Sequence, residues 1–156
     1  MEALLFTGQY EVSIDKKSRM VLPAGLRQRI KPESHGKDFY LLIGHNKRPW
    51  LYPDLYYEHL QNQEKLDPIP GIEQTDYDLM ALAMADRVEL DGQGRILIPA
   101  RTFEWTGIQK EQPLTLLGVR EHLELWDRED WNRYRKTLLE RSAEVAQRAR
   151  QARQDQ

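Results

Sequence analysis

The stretch Val12-Ser13-Ile14-Asp15-Lys16-Lys17-Ser18-Arg19-Met20-Val21-Leu22-Pro23-Ala24 returns 76 residues later as Val88-Glu89-Leu90-Asp91-Gly92-Gln93-Gly94-Arg95-Ile96-Leu97-Ile98-Pro99-Ala100. Val, Asp, Arg, Pro and Ala are identical, and the apolar positions agree. Self-similarity at a fixed period marks a structural unit used twice. With two residues deleted, the repeat continues at a shift of 74, placing Leu42-Ile43-Gly44 on Leu116-Leu117-Gly118 and Leu51-Tyr52-Pro53 on Leu125-Trp126-Asp127.

The elements of one unit follow from its residues. Alternation in Tyr10 to Ile14 and in Val88 to Leu90 predicts half-buried strands, with Met20 to Leu22 and Ile96 to Ile98 as their partners. The four residues between them make a hairpin turn, opened by Asp15 or Asp91, whose carboxylate can hydrogen-bond its own backbone. Gly92 and Gly94 can supply positive φ in the second turn, where the first has Ser18 at the Gly94 position. Pro23 and Pro99 suit the first turn of short helices. Two further strands follow in each copy, then a longer helix for which Asp54 and Asp127 are N-cap candidates. Thr75 with Asp78 reads as a capping box opening a helix through Leu79 to Met84. The organisation expected is a first repeat at 5–66, a connecting helical segment at 67–84, a second repeat at 85–146 with a C-terminal helix, and a frayed tail at 147–156.

Charge is strongly segregated. Six cations and no acid lie between Lys16 and Lys31, whereas Asp54 to Asp91 holds ten acids against Lys65 and Arg87, a net of −8. The overall charge of −2 therefore conceals a basic pole able to hold phosphates. At 40% hydrophobic and 31% charged residues the chain has globular composition, which excludes wholesale disorder. Its longest apolar run, Leu79 to Ala85, is too short to cross a bilayer. The opening residues lack the features of a secretory signal, so the expected location is cytoplasmic. With no cysteine, disulfides, thiolate nucleophiles and iron–sulfur clusters are excluded.

Enzymatic motifs are missing from the sequence. His35, His45, His59 and His122 form no i, i+4 pair and are expected at the surface. Gly92-Gln93-Gly94 lacks the third glycine of a dinucleotide fingerprint, and neither a phosphate-binding loop nor a nucleophile elbow occurs. No catalytic residue, metal or cofactor is expected. Asp127, Glu129 and Asp130 suit a helix start, and the four tryptophans suit core or subunit packing.

The doubled D-x-x-x-R element, the Pro-Ala that follows it, Leu-Tyr-Pro at 51–53 and Leu-Trp-Asp at 125–127 resemble the MraZ family, related to the AbrB-like transition-state regulators. The resemblance covers roughly residues 5 to 140. It implies an α+β fold, a double-split, swapped-hairpin β-barrel of two tandem AbrB-like repeats with peripheral helices. It also implies a transcriptional regulator that binds repeated boxes in double-stranded DNA upstream of its own gene, commonly as a repressor of the division and cell-wall cluster. A ring-shaped homo-oligomer, nucleoid-associated and without membrane contact, belongs to the same expectation. On the family pattern D-x-K-G-R fall Asp15, Lys17, Ser18 and Arg19, and in the second copy Asp91, Gln93, Gly94 and Arg95. Where the family often has an arginine after Pro-Ala, this sequence has Arg27 and Phe103, which ranks the second copy lower for DNA contact.

The chemistry of these residue types agrees. Arginine presents a planar fork that can bridge two phosphate oxygens or O6 and N7 of guanine, so Arg19 and then Arg95 are the expected base readers. Lys16 and Lys17 at the turn tip, with Arg27, suit phosphate contacts that position without reading sequence. Asp15, Asp91 and Gly94 are expected to shape the turns and aim the arginines. The competing readings are a structural pair between each arginine and its own aspartate, an oligomeric scaffold that binds proteins through the acidic segment, and an antitoxin-like protein-binding module.

Overall fold

The computed structural model describes residues 1–63 and 68–156. The expected boundary between 66 and 67 lies outside the described residues. The first repeat contains β1 (Gln9–Val12), β2 (Arg19–Val21), α1 (Ala24–Arg27), α2 (Pro32–His35), β3 (Phe39–Ile43), β4 (Pro49–Pro53) and α3 (Asp54–Asn62). A connecting helix, α4 (Ile72–Asp78), continues into a π-helical turn, Leu79–Ala83. The second repeat contains β5 (Asp86–Val88), β6 (Arg95–Leu97), α5 (Ala100–Thr106), β7 (Leu114–Val119), β8 (His122–Asp127) and α6 (Arg128–Glu140), followed by α7 (Ser142–Gln154).

The two repeats exchange strands. The main antiparallel sheet runs β1-β7-β8-β4-β3-β5, so the first strand of each repeat lies beside the third strand of the other. β2 and β6 pair antiparallel in a separate two-stranded ribbon, with Met20 opposite Ile96. Hydrogen bonds from Leu22 N to Gly94 O (2.8 Å) and from Ile98 N to Ser18 O (2.7 Å) lengthen this ribbon symmetrically. The Met20–Ile96 pair thus straddles a pseudo-twofold axis relating the repeats.

The α+β expectation holds, but among the described residues the sheet does not close into a barrel. β1 and β5 are its free edges, and the ribbon stands apart from it. The reason is local: only one bridge, Ile14 to Met20 or Leu90 to Ile96, follows each four-residue turn, so hydrogen bonding does not continue from the return strand into the sheet. Apolar packing joins ribbon and sheet instead. Ile14, Met20, Leu22, Ile96 and Ile98 share one core with Phe39, Leu41, Leu51, Leu114 and Leu116, all at most 2% exposed. Burying a side chain of that size contributes about 1.5–3 kcal/mol.

Ionic contacts across the two repeat junctions carry opposite signs. At one, Arg87 Nη2 donates to the buried carboxylates of Asp38 and Asp54, 3.0 Å from each. At the equivalent positions of the other stand Glu11, Gln112 and Arg128, with Arg128 Nη1 3.8 Å from Glu11. The alignment thus reverses the charges: the arginine precedes its hairpin at one junction and begins the long helix at the other. Pairing like repeats would set Glu11 against Asp54, or Arg87 against Arg128, so the charges favour unlike pairing.

Several local expectations are corrected. Asp127 caps α6, accepting from Asp130 N at 3.0 Å, but Asp54 lies one residue inside α3, where Pro53 occupies the cap and Arg87 takes the carboxylate. Thr75 is inside α4, its hydroxyl bonded back to Gly71 O, so no capping box forms. His35 and His122 are buried rather than on the surface. His35 Nδ1 accepts from Lys31 N, leaving Nε2 to donate to Glu2 O, while His122 stacks on Trp50 at 4.0 Å and bonds Glu124. Residues 147–154, expected to fray, are helical in α7, whose side chains are exposed. Among the described residues no helix is long and apolar enough to cross a membrane.

Candidate nucleic-acid interface

Each hairpin is built around its aspartate in the same way. Asp15 Oδ1 accepts from Lys17 N (2.9 Å) and Arg19 N (2.8 Å), and Oδ2 accepts from Arg19 Nε (3.0 Å). Asp91 Oδ1 accepts from Gln93 N (2.8 Å) and Arg95 N (2.9 Å), and Oδ2 from Arg95 Nε (2.9 Å). Backbone bonds from Ser18 N to Asp15 O and from Gly94 N to Asp91 O close the turns. These donors hold both carboxyls below the ordinary aspartate value; the largest contribution at each is the backbone N–H of its arginine.

Ser18 and Gly94 adopt the same left-handed backbone, with φ of 65° and 75°. The serine therefore leaves the turn geometry intact, although a non-glycine residue there stores strain. Gly92, expected to help, does not have a positive φ. What the second turn requires of Gly94 is also room: Arg27 crosses from the other repeat, and a Cβ on Gly94 would lie 2.9 Å from Arg27 Cζ.

The sequence-predicted residues divide accordingly. Arg19 and Arg95 are brought together on the outer face of the β2–β6 ribbon, Arg19 opposite Leu97 and Arg95 opposite Val21. Aspartate takes only the Nε edge of each guanidinium. Among the described residues, Nη1 and Nη2 of both arginines have no hydrogen-bond partner, so each fork is oriented while its terminal donors stay available. The structural pair and the outward-facing fork thus coexist. Lys16 and Lys17 are exposed at the first turn. Arg27 is engaged: its Nε donates to Leu22 O at 2.9 Å, and its guanidinium lies on the second hairpin. Its counterpart Phe103 packs half-buried against the core.

Three residues that sequence reasoning missed belong to this surface. Lys110 Nζ donates to Lys16 O at 3.2 Å, adding a cation beside the first turn from 94 residues away, a proximity with no sequence signal. Val21 and Leu97, which lie within the apolar runs expected to form the partner strands, are 55% and 61% exposed. Strand alternation held the signal: Met20, Leu22, Ile96 and Ile98 point inward, so their intervening neighbours point out.

Fold and surface together define a class of protein, a tandem-repeat α+β chain whose interlocked hairpins bring one oriented arginine each onto a common ribbon. The family model described as "MraZ protein, putative antitoxin-like" matches residues 5–76 and 81–154. The chain belongs to the MraZ family. It is 30% identical over 143 residues to the transcriptional regulator MraZ of Heliobacterium modesticaldum, covering 92% of this chain and 95% of that one. It is 32% identical over 136 residues to the transcriptional regulator MraZ of Clostridium botulinum strain Alaska E43, covering 87% and 91% respectively. The solution structure of PHS018 from Pyrococcus horikoshii, at 14% identity and a TM-score of 0.33 over 81% of this chain and 90% of that one, is too distant to inform the fold.

Proposed function

We propose that this chain is a sequence-specific regulator of transcription, binding double-stranded DNA through the outer face of the β2–β6 ribbon and the two hairpin tips. The observation that carries the reading is the duplicated arginine geometry: two forks, each held at Nε by its own aspartate, with their terminal nitrogens unengaged among the described residues on one face. A two-stranded ribbon is narrow enough for the major groove, where such forks pair with guanine O6 and N7. Lys16, Lys17 and Lys110 surround the first tip and serve as phosphate contacts. Arg27 contributes by bracing the second hairpin, with any phosphate contact secondary. The relatives' names support the regulatory role, and repression from repeated boxes upstream of its own gene is the form we favour.

The working organisation is two units, 5–66 and 85–146, joined by 67–84, in a cytoplasmic, nucleoid-associated ring of identical subunits. One such ribbon offers a small interface, so several subunits engaging repeated boxes raise affinity through effective concentration. An oligomeric protein-binding scaffold is the second reading, favoured by exposed Ile69, Ile72, Leu79 and Leu82 in and beside the connecting helix. Anisotropy titration against DNA from upstream of its gene and a scrambled duplex, at two salt concentrations, separates them. Salt-sensitive preference for the upstream duplex supports the regulator; equal, weak binding to both supports the scaffold.

A further inference from the structure

The geometry points to Val21 and Leu97 as readers of thymine methyl groups, each set beside an arginine of the ribbon. This inference rests on the DNA-binding reading above and specifies which base feature that face takes.

Single exposed aliphatic residues need no explanation, but these two are not independent. They occupy equivalent positions of the two repeats, 76 residues apart, and both are more than half exposed. Each is the direct cross-strand neighbour of the other repeat's arginine, Val21 of Arg95 and Leu97 of Arg19. Residues directly opposite share a face, and Met20 and Ile96 between them point into the core. The ribbon therefore presents four side chains outward, two cationic on one diagonal and two apolar on the other.

That pattern has a chemical complement. In the major groove the thymine C5 methyl is the apolar feature of the base edges, while guanine supplies the paired acceptors that suit an arginine fork. A second copy of the chain is a poorer occupant in a twofold contact: it would bring Arg19, Arg95, Lys16, Lys17 and Lys110 of both copies into one interface, with Glu11 and Glu111 beside the ribbon offsetting some of that charge. Duplex DNA brings phosphate to the cations and methyls to the aliphatic pair at once.

The experiment selects duplexes from a random-sequence pool with the full-length protein, then resynthesises the enriched duplex with deoxyuridine for thymidine, which removes every C5 methyl. Affinities of the wild type and of Val21→Ala/Leu97→Ala are measured on both duplexes, with melting and sedimentation of each protein alongside. The expected result is that the wild type loses about fourfold in affinity per contacted methyl. The double variant, equally folded, should bind the two duplexes within a factor of two of each other, a range set well below about fourfold. Equal wild-type affinity for both duplexes, the same loss in the variant, or a selected site without thymine would each overturn the proposal. A variant whose oligomeric state changes while its uridine response persists would also overturn it, assigning the face to contacts between copies. A pool that yields no enriched sequence would remove the DNA-binding reading itself, whereas enrichment without a methyl effect removes only this inference.

Discussion

Arg27, from the helix after the first hairpin, lies across Gly94 in the turn of the second, its Cζ 2.9 Å from where a Cβ would stand. The contact joins the repeats at the point where a sequence difference between them, glycine against serine, is concentrated. Gly94→Ala would combine left-handed backbone strain with displacement of the Arg27 guanidinium, the movable end of a long side chain, and should cost about 1–2 kcal/mol of stability. Ser18→Gly should be neutral or gain up to about 1 kcal/mol, since φ there is already 65°. Urea unfolding of both variants checks the pair, and the prediction fails if Gly94→Ala is as stable as the parent.

The turn carboxylates give the protein an acid limit. Asp15 and Asp91 are held below the ordinary value of 3.8, foremost by the arginine backbone N–H groups. Burial alone would raise Glu124, but donors from His122, Trp126 and Asn46 outweigh it, and the net shift is downward from 4.5. A carboxyl depressed on folding contributes stability that is complete above its unfolded value and drains away as pH falls through its folded one. Stability should therefore fall as pH drops below about 4.5 and continue falling below 3.8, the ordinary values from which these groups are lowered. Asp15→Asn should flatten the lower part of that curve, as read by denaturation between pH 3 and 6, in the acid range of ordinary carboxyl titration.

Arg19→Ala should abolish most sequence preference, about 1–3 kcal/mol, while leaving circular dichroism and melting close to wild type. Arg95→Ala should do less, because the second tip carries Gly92 and Gln93 where the first has Lys16 and Lys17. Lys16→Ala or Lys17→Ala should weaken all duplexes about equally and lower the salt slope by about one unit. Normal affinity of Arg19→Ala for the selected duplex would exclude its role in readout.

Removing the cation that joins Asp38 and Asp54 should be more damaging than removing its counterpart. Arg87→Met strands two carboxylates that are 5% and 4% exposed, whereas Arg128→Met leaves Glu11 in solvent and frees only the neutral carbonyls of Val12 and Leu114. Thermal melting should show the larger drop for Arg87→Met; equal drops would count against the asymmetry between the junctions. Leu22→Ala, in the shared core, should cost about 2–5 kcal/mol, read by urea unfolding.

Much of the candidate site's local geometry was legible because a repeat displays its constraints twice. Asp15 with Arg19 and Asp91 with Arg95 stand four residues apart in each copy, and a four-residue turn brings such a pair together wherever it sits in the chain. The hidden parts depend on long-range contact. Lys110 reaches the first turn across 94 residues, and Asp54, placed by sequence at a helix cap, is buried against Arg87, 33 residues away.

The two-unit plan, the hairpin turns and the aspartate–arginine pairs could be read from the chain alone, since they follow from spacing and turn chemistry over a few residues. Strand exchange between the repeats, the open sheet and the choice of the outward face for Val21 and Leu97 arise from contacts made far apart in the chain. Alternation limits a strand to two faces, but which face meets the core depends on where the partner strand is drawn from. Here that partner comes from the other repeat, 76 residues along the chain.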